Sequence, residues 1–174
     1  MEYMFTLKYR LAAQDCDADK IVERLGEAGC DDATVGVGQP GRIALLFSRE
    51  AASASEALVS ALKDVKQAVP SARLVEAGPD FVGLTDVAEL AGVSRQNMRK
   101  LMLSHAIDFP APVHEGSASV WHLSDVLEWL TERGGYNINA DVADIAKSTK
   151  QVNLAKEVRE LEPRFGRQLE SLVA

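Results

Sequence analysis

The chain has 174 residues, of which 47% are hydrophobic and 26% are charged, and its net charge is −7. This composition is that of a packed globular protein with one ordinary domain or two small ones, and it excludes a disordered or low-complexity chain. No apolar run approaches the roughly 18 residues that span a bilayer, and the opening MEYMFTLKYR alternates instead of forming an apolar block. We therefore expect a cytoplasmic protein without a membrane segment.

Strand and helix signals alternate along residues 1–80. Alternating apolar side chains predict strands at 5–11, 35–37, 43–47 and 72–77, and helical spacing predicts a helix after the first strand and another before the last. The resulting order, βαββαβ, is that of a ferredoxin-like domain, a fold that hosts many functions and so names none. A G-x-G-x-x-G pattern at 36–41 precedes a strand instead of a helix, so we interpret it as a hairpin and not as a phosphate-binding loop.

The residues most often used in metal or catalytic sites are scattered. Cys16 and Cys30 have no Cys-x-x-Cys companion, and we expect ordinary thiols, with neither a disulfide nor a zinc site. His105, His114 and His122 lack a paired carboxylate or a nucleophile motif, so we expect surface or wing histidines. The sequence therefore predicts no enzymatic activity, no metal and no cofactor.

The pattern changes after the Gly78-Pro79-Asp80 segment, which we interpret as a linker. Thr85 is placed to cap one short helix, Gly92 supplies a turn, and Ser94 is placed to cap a second helix. Small, glycine and apolar residues at this spacing predict a helix-turn-helix within residues 81–133.

The second of these helices, residues 94–105, separates two kinds of side chain. Met98 and Leu101 fall on the face expected in the core, and the opposite face carries the polar residues. Arginine and amide side chains can read base edges in a major groove, whereas the alternative interpretation is a solvated helix face without a function. We predict that the DNA-binding residues on this helix are Ser94, Arg95, Gln96, Asn97, Arg99 and Lys100.

A longer motif continues beyond the helix pair. LTDVAELAGVSRQNMRKLM, followed by FPAPVHEGSASVWHLSDVLEWLTER, resembles the AlpA-type, MerR-related regulators and excisionases of prophages. The resemblance covers residues 81–133 and implies a winged helix-turn-helix whose hairpin adds Ser117 and Ser119 to the DNA contacts. The hairpin carries His114 and Glu115 where such wings usually have Arg or Lys.

Residues 134–174 form a third part. Apolar residues recur at three- and four-residue steps and predict an amphipathic helical tail, in which Pro163 ends one helix or begins another. An apolar stripe of this kind docks against its own chain, a second copy or a partner protein, and the sequence leaves these three alternatives open.

These observations predict an α+β fold with three parts: a ferredoxin-like domain (1–80), a winged helix-turn-helix (81–133) and a helical tail (134–174). The expected function is sequence-specific binding of double-stranded DNA by a homodimeric transcriptional repressor. The alternative is a protein-interaction module, such as an antitoxin-like neutralising partner that also binds its own operator.

Overall fold

The computed structural model describes residues 1–15 and 17–173 and has a mixed α+β architecture. Cys16, expected to be an ordinary thiol, lies outside the described residues. Cys30 is a free, buried cysteine, and burial raises the pKa of its thiol to about 11. Within the described residues no helix is both long and apolar enough to cross a membrane.

The N-terminal body is a four-stranded antiparallel sheet with two helices. Its elements are β1 (Glu2–Arg10), α1 (Ala18–Glu27), β2 (Ala33–Val37), β3 (Arg42–Glu50), α2 (Ala54–Ala68) and β4 (Arg73–Gly78). The strands lie in the order β2-β3-β1-β4, so β4 is an edge strand. Every predicted strand and helix of this region is present, and most of the strands are longer than predicted.

Strand alternation places one face of this sheet in the core. Phe5 and Phe47 stack with ring centroids 5.1 Å apart, and Leu7, Leu45 and Leu58 complete the centre of the cluster. Successive residues of a strand point to opposite faces of the sheet. Helices α1 and α2 pack on the core face, so neither of them covers the other face.

The second body is built from short elements. These are β5 (Phe81–Val82), α3 (Leu84–Leu90), α4 (Arg95–Ser104), β6 (His114–Glu115), β7 (Ser119–His122) and α5 (Leu123–Arg133), with a small sheet in the order β5-β7-β6. The prediction that Thr85 caps α3 is wrong, because the helix begins one residue before it. The Asp86 carboxylate instead accepts from the Gly83 amide at 2.7 Å.

Aromatic residues of the predicted motif contribute to a largely aliphatic core in this second body. Phe109 packs edge-on against Trp121 and Trp129, with ring centroids 6.2 and 5.0 Å apart. The Trp121 indole donates to the Pro110 carbonyl at 2.9 Å, which ties the loop after α4 to β7. Trp121 is therefore a core residue.

The tail begins with a long helix that lies against both bodies. In α6 (Ala140–Val158), Ile145 belongs to the first hydrophobic cluster and the adjacent Ala146 to the second. A short helix, α7 (Pro163–Leu169), follows, and it begins at the proline as predicted. α6 thus docks on its own chain, whereas the segment after it remains largely exposed.

The segment between the two bodies is fixed in place by α6 and β7. The Asn153 amide donates to the Ala77 carbonyl at 2.8 Å and to the Asp80 carboxylate at 2.7 Å, and it accepts from the Ala77 amide at 2.8 Å. The Thr149 hydroxyl donates to the Pro79 carbonyl at 2.6 Å. The expected linker is therefore a fixed joint, and Asn153 covers part of the edge of β4.

Candidate nucleic-acid interface

The turn between α3 and α4 is set by one glycine. Gly92 has φ of +67°, a conformation that costs little only for glycine, and the next amide, of Val93, donates to the Ala88 carbonyl at 2.9 Å. The Ser94 hydroxyl then accepts from the Asn97 amide at 3.2 Å and caps α4, as predicted. These contacts fix where α4 begins and which face it buries.

α4 has one anchored face and one open face. Met98 is fully buried in the second core, and Leu101 and Met102 pack partly against the same core. The six predicted residues of the helix are all exposed: Ser94, Arg95, Gln96, Asn97, Arg99 and Lys100. Sequence periodicity therefore assigned the two faces of this helix correctly.

The positive charges of the open face of α4 have no carboxylate partners in the described part of the chain. Among the residues that the structure describes, no carboxylate forms an ion pair with Arg95, Arg99 or Lys100. A guanidinium or ammonium that is free of internal carboxylates can offer its donors to a phosphate or a base edge. The face is thus a local cationic surface on an acidic chain.

The predicted residues do not all line one surface feature. A shallow depression on α4 is lined by Gln96, Asn97, Arg99, Lys100, Leu103 and Ser104. Leu103 was not among the predicted site residues, although its side chain is 61% exposed. An apolar side chain beside arginine and amide groups can contact a thymine methyl in a major groove. Its sequence signal was its spacing of four residues from Arg99.

The hairpin formed by β6 and β7 is the second candidate element. The amide of Val113 donates to the carbonyl of Val120 at 2.8 Å, and Gly116 and Ala118 close the tip. Ser117 lies exposed at the tip, and Ser119 lies half-buried at the start of β7. The hairpin offers hydroxyl and amide donors but no lysine or arginine.

The three histidines occupy different environments. His105 and His114 lie on or near the surface, as expected, but His122 is mostly buried and its Nδ1 lies 2.7 Å from an oxygen of Asp80. This contact links β7 to the joint between the bodies, so His122 has a structural partner that the sequence did not indicate. Over residues 1–15 and 17–173, no group of three or more His, Cys, Asp or Glu side chains is arranged to hold a metal ion.

No protein-family model, curated protein or solved structure matches the chain.

Proposed function

We propose that the chain is a sequence-specific DNA-binding regulator of the winged helix-turn-helix type, with α4 as its recognition helix. The observation that carries the proposal is the open face of α4, where cationic and amide side chains have no ion pair with any described residue and lie opposite a fully buried Met98. A recognition helix needs this combination of a rigid anchor and unengaged polar side chains.

The side chains of α4 suit the chemistry of base edges. Arg95 and Arg99 can each donate two hydrogen bonds to guanine, and Gln96 or Asn97 can pair with adenine in the same two-point manner. Lys100 suits a phosphate, because its ammonium is a point charge without a planar donor pair. We assign the hairpin tip, with Ser117, to contacts with the DNA backbone.

The other features of the regulator follow from this assignment. We propose a cytoplasmic homodimeric repressor, because a two-fold dimer presents two recognition helices to the half-sites of a pseudopalindromic operator. The strand order of the N-terminal body supports its assignment to the ferredoxin-like type. The resemblance of residues 81–133 to AlpA-type regulators agrees with the proposed class.

Selection of DNA by the full chain tests the proposal. Bound fragments from a random duplex pool should converge on a defined motif for the parent chain. The Arg95→Ala, Arg99→Ala, Lys100→Ala triple variant should lose affinity for that motif by roughly 30-fold or more, since the two lost arginine–base contacts cost about 1–3 kcal/mol each. The matched control is Arg159→Ala, Arg164→Ala, Arg167→Ala, which removes the same charge from exposed positions in and around α7.

The circular dichroism spectrum of each variant should equal that of the parent, because every substituted side chain is exposed. If the folded α4 variant binds the selected DNA as tightly as the parent, α4 is not the recognition helix.

A second candidate function is favoured by the end of the tail. Val158, Phe165 and Leu172 are 64%, 51% and 76% exposed, and exposed apolar side chains grouped along a segment are typical of a protein contact. We propose a protein-interaction module of the antitoxin-like kind as the alternative, with DNA binding as autoregulation. A partner that stays bound at high salt, combined with the absence of a selected DNA motif, would favour it.

A further inference from the structure

Three arginines lie side by side across the open face of the N-terminal sheet. Arg10 of β1 is the cross-strand partner of both Arg42 of β3 and Arg73 of β4. Adjacent strands lie about 4.8 Å apart, so this arginine row spans roughly 10 Å. The neighbouring residues Tyr9 and Ile43 are buried, and alternation therefore points the arginines away from the core.

The arginine row has no counter-charge among the residues that the structure describes. All three side chains are exposed, and within the described residues none of them forms an ion pair or a side-chain hydrogen bond. The neighbouring cross-strand pair is already neutral, because Lys8 of β1 forms an ion pair with Glu76 of β4 at 3.3 Å. Like charges placed directly opposite each other destabilise a sheet, so the row carries a cost that an anionic ligand would offset.

The surface beside the arginine row is shallow. A shallow cleft of about 150 Å³ lies next to Arg42, and small residues (Gly36, Gly38 and Ala44) line it together with the buried Tyr9. Pockets for small organic ligands typically hold about 300–1,000 Å³, so this cleft is too small to enclose one. No outward-facing position of β1 to β4 is aromatic, so these strands offer no stacking platform for bases.

The two ends of the open face of the N-terminal sheet have opposite charge. At the end of β1 away from Arg10, Glu2 and Glu50 are cross-strand partners. An extended anion would therefore be attracted to the arginine end alone. Guanidinium groups match the geometry of phosphate oxygens, and a row of them fits a ligand with several phosphates in line.

We propose that the arginine row binds the phosphate backbone of nucleic acid, as a contact additional to α4. The inference rests on the proposed function in one respect, that the nucleic acid is duplex DNA. The shallow surface allows a DNA backbone to lie along it. Because the outward-facing strand residues are not aromatic, this contact does not depend on base sequence. The N-terminal body thereby adds affinity, and α4 retains the sequence preference.

The test measures the affinity of the full chain for a labelled 30-base-pair duplex of unselected sequence over a range of KCl concentrations. The row variant is Arg10→Gln, Arg42→Gln, Arg73→Gln, and the matched control is Arg159→Gln, Arg164→Gln, Arg167→Gln. Each phosphate contact contributes about 0.9 to the slope of log affinity against log salt. We expect the row variant to lower the slope by about 2–3 and the control to change it by less than about 1.

Two further variants separate the possible causes. Replacing the row with three lysines keeps the charge and should retain most of the slope, since counterion release follows charge. The α4 alanine triple variant should lose preference for the selected motif, whereas the row variant should keep that preference while binding all duplexes more weakly. A failure of α4 alone would thus leave the arginine row supported.

Four results would overturn the proposal. The first is that the row variant has the same slope of log affinity against log salt as the parent. The second is that the control variant lowers this slope as much as the row variant does. The third is a row variant that binds the duplex normally but no longer binds inorganic tripolyphosphate, because the row would then be a site for a small anion. The fourth is a change of oligomeric state in sedimentation, because the row would then contact the acidic surface of a second copy.

Discussion

Arg49 is only 7% exposed, and it holds together the side of the N-terminal body where β3 ends. Its guanidinium donates to both oxygens of Asp32 at 2.6 and 2.9 Å, to Asp64 at 2.7 Å and to the Gly29 carbonyl at 3.0 Å. The hydrogen bond to Asp32 is the largest cause that raises the pKa of Arg49 above its ordinary value. A single side chain therefore links β3, α2 and the loop after α1.

Removing this guanidinium leaves two partly buried carboxylates without their partner. We expect Arg49→Met to lower the free energy of unfolding by about 3 kcal/mol, because breaking a buried pair leaves an uncompensated charge. Arg24→Met is the matched control, since the Arg24 side chain is more exposed than that of Arg49 and its ion pair with Asp15 should contribute far less to stability. Urea unfolding followed by circular dichroism measures both. Equal losses for the two variants would show that the Arg49 cluster has no special role.

At the scale of one element, α4 separates stability from recognition. Met98→Ala should lower the free energy of unfolding by roughly 2–5 kcal/mol, because its side chain is fully buried.

Arg99→Ala should leave folding unchanged and relax base preference at one operator position by about 1–3 kcal/mol. Lys100→Ala should weaken binding to all DNA sequences alike and lower the slope of log affinity against log salt by about one. A large loss of stability on Arg99→Ala would place that residue in the core instead.

The hairpin of β6 and β7 lacks the cation that a DNA-contacting wing usually supplies. Glu115 is exposed on β6, and if the hairpin lies near the DNA backbone its carboxylate repels phosphates. Glu115→Lys should then tighten binding to every duplex and raise the salt slope by about one. Glu27→Lys on α1 makes the same charge change on the N-terminal body and should change the slope far less. Equal effects of the two substitutions would place the hairpin away from the DNA.

Sequence periodicity predicted those elements whose buried face follows from their own spacing. The strands of the N-terminal body and the two faces of α4 are of this kind, since each residue's burial depends on its neighbours along the chain. Arg49 continues the inward positions 43, 45 and 47, so its burial could have been read from the same alternation. The contacts of Asn153 could not be predicted in this way, because Asp80 lies 73 residues earlier and the periodicity of a helix does not indicate which surface it packs against.

At the scale of the whole molecule, α6 determines whether the two bodies behave as one. Its residues Ile145 and Ala146 belong to different hydrophobic clusters, and Asn153 bonds the segment that joins them. Both tryptophans lie in or against the second cluster, whereas circular dichroism reports on the entire chain. Because α6 contributes to both cores, we expect the tryptophan fluorescence and circular dichroism of the parent to change together during urea unfolding.

Asn153→Ala tests this coupling directly. The substitution leaves the buried Asp80 carboxylate and the Ala77 backbone groups without three hydrogen bonds, and we expect a loss of about 2–5 kcal/mol. The tryptophan and circular dichroism transitions should then separate, and proteases should cut between residues 78 and 80, where the parent is protected by burial. Lys147→Ala, which removes only an exposed ion pair of the same helix, should leave the transitions together. If Asn153→Ala keeps a single transition and the parent's protease resistance, packing of α6 alone holds the bodies together and the hydrogen bonds at the joint contribute little.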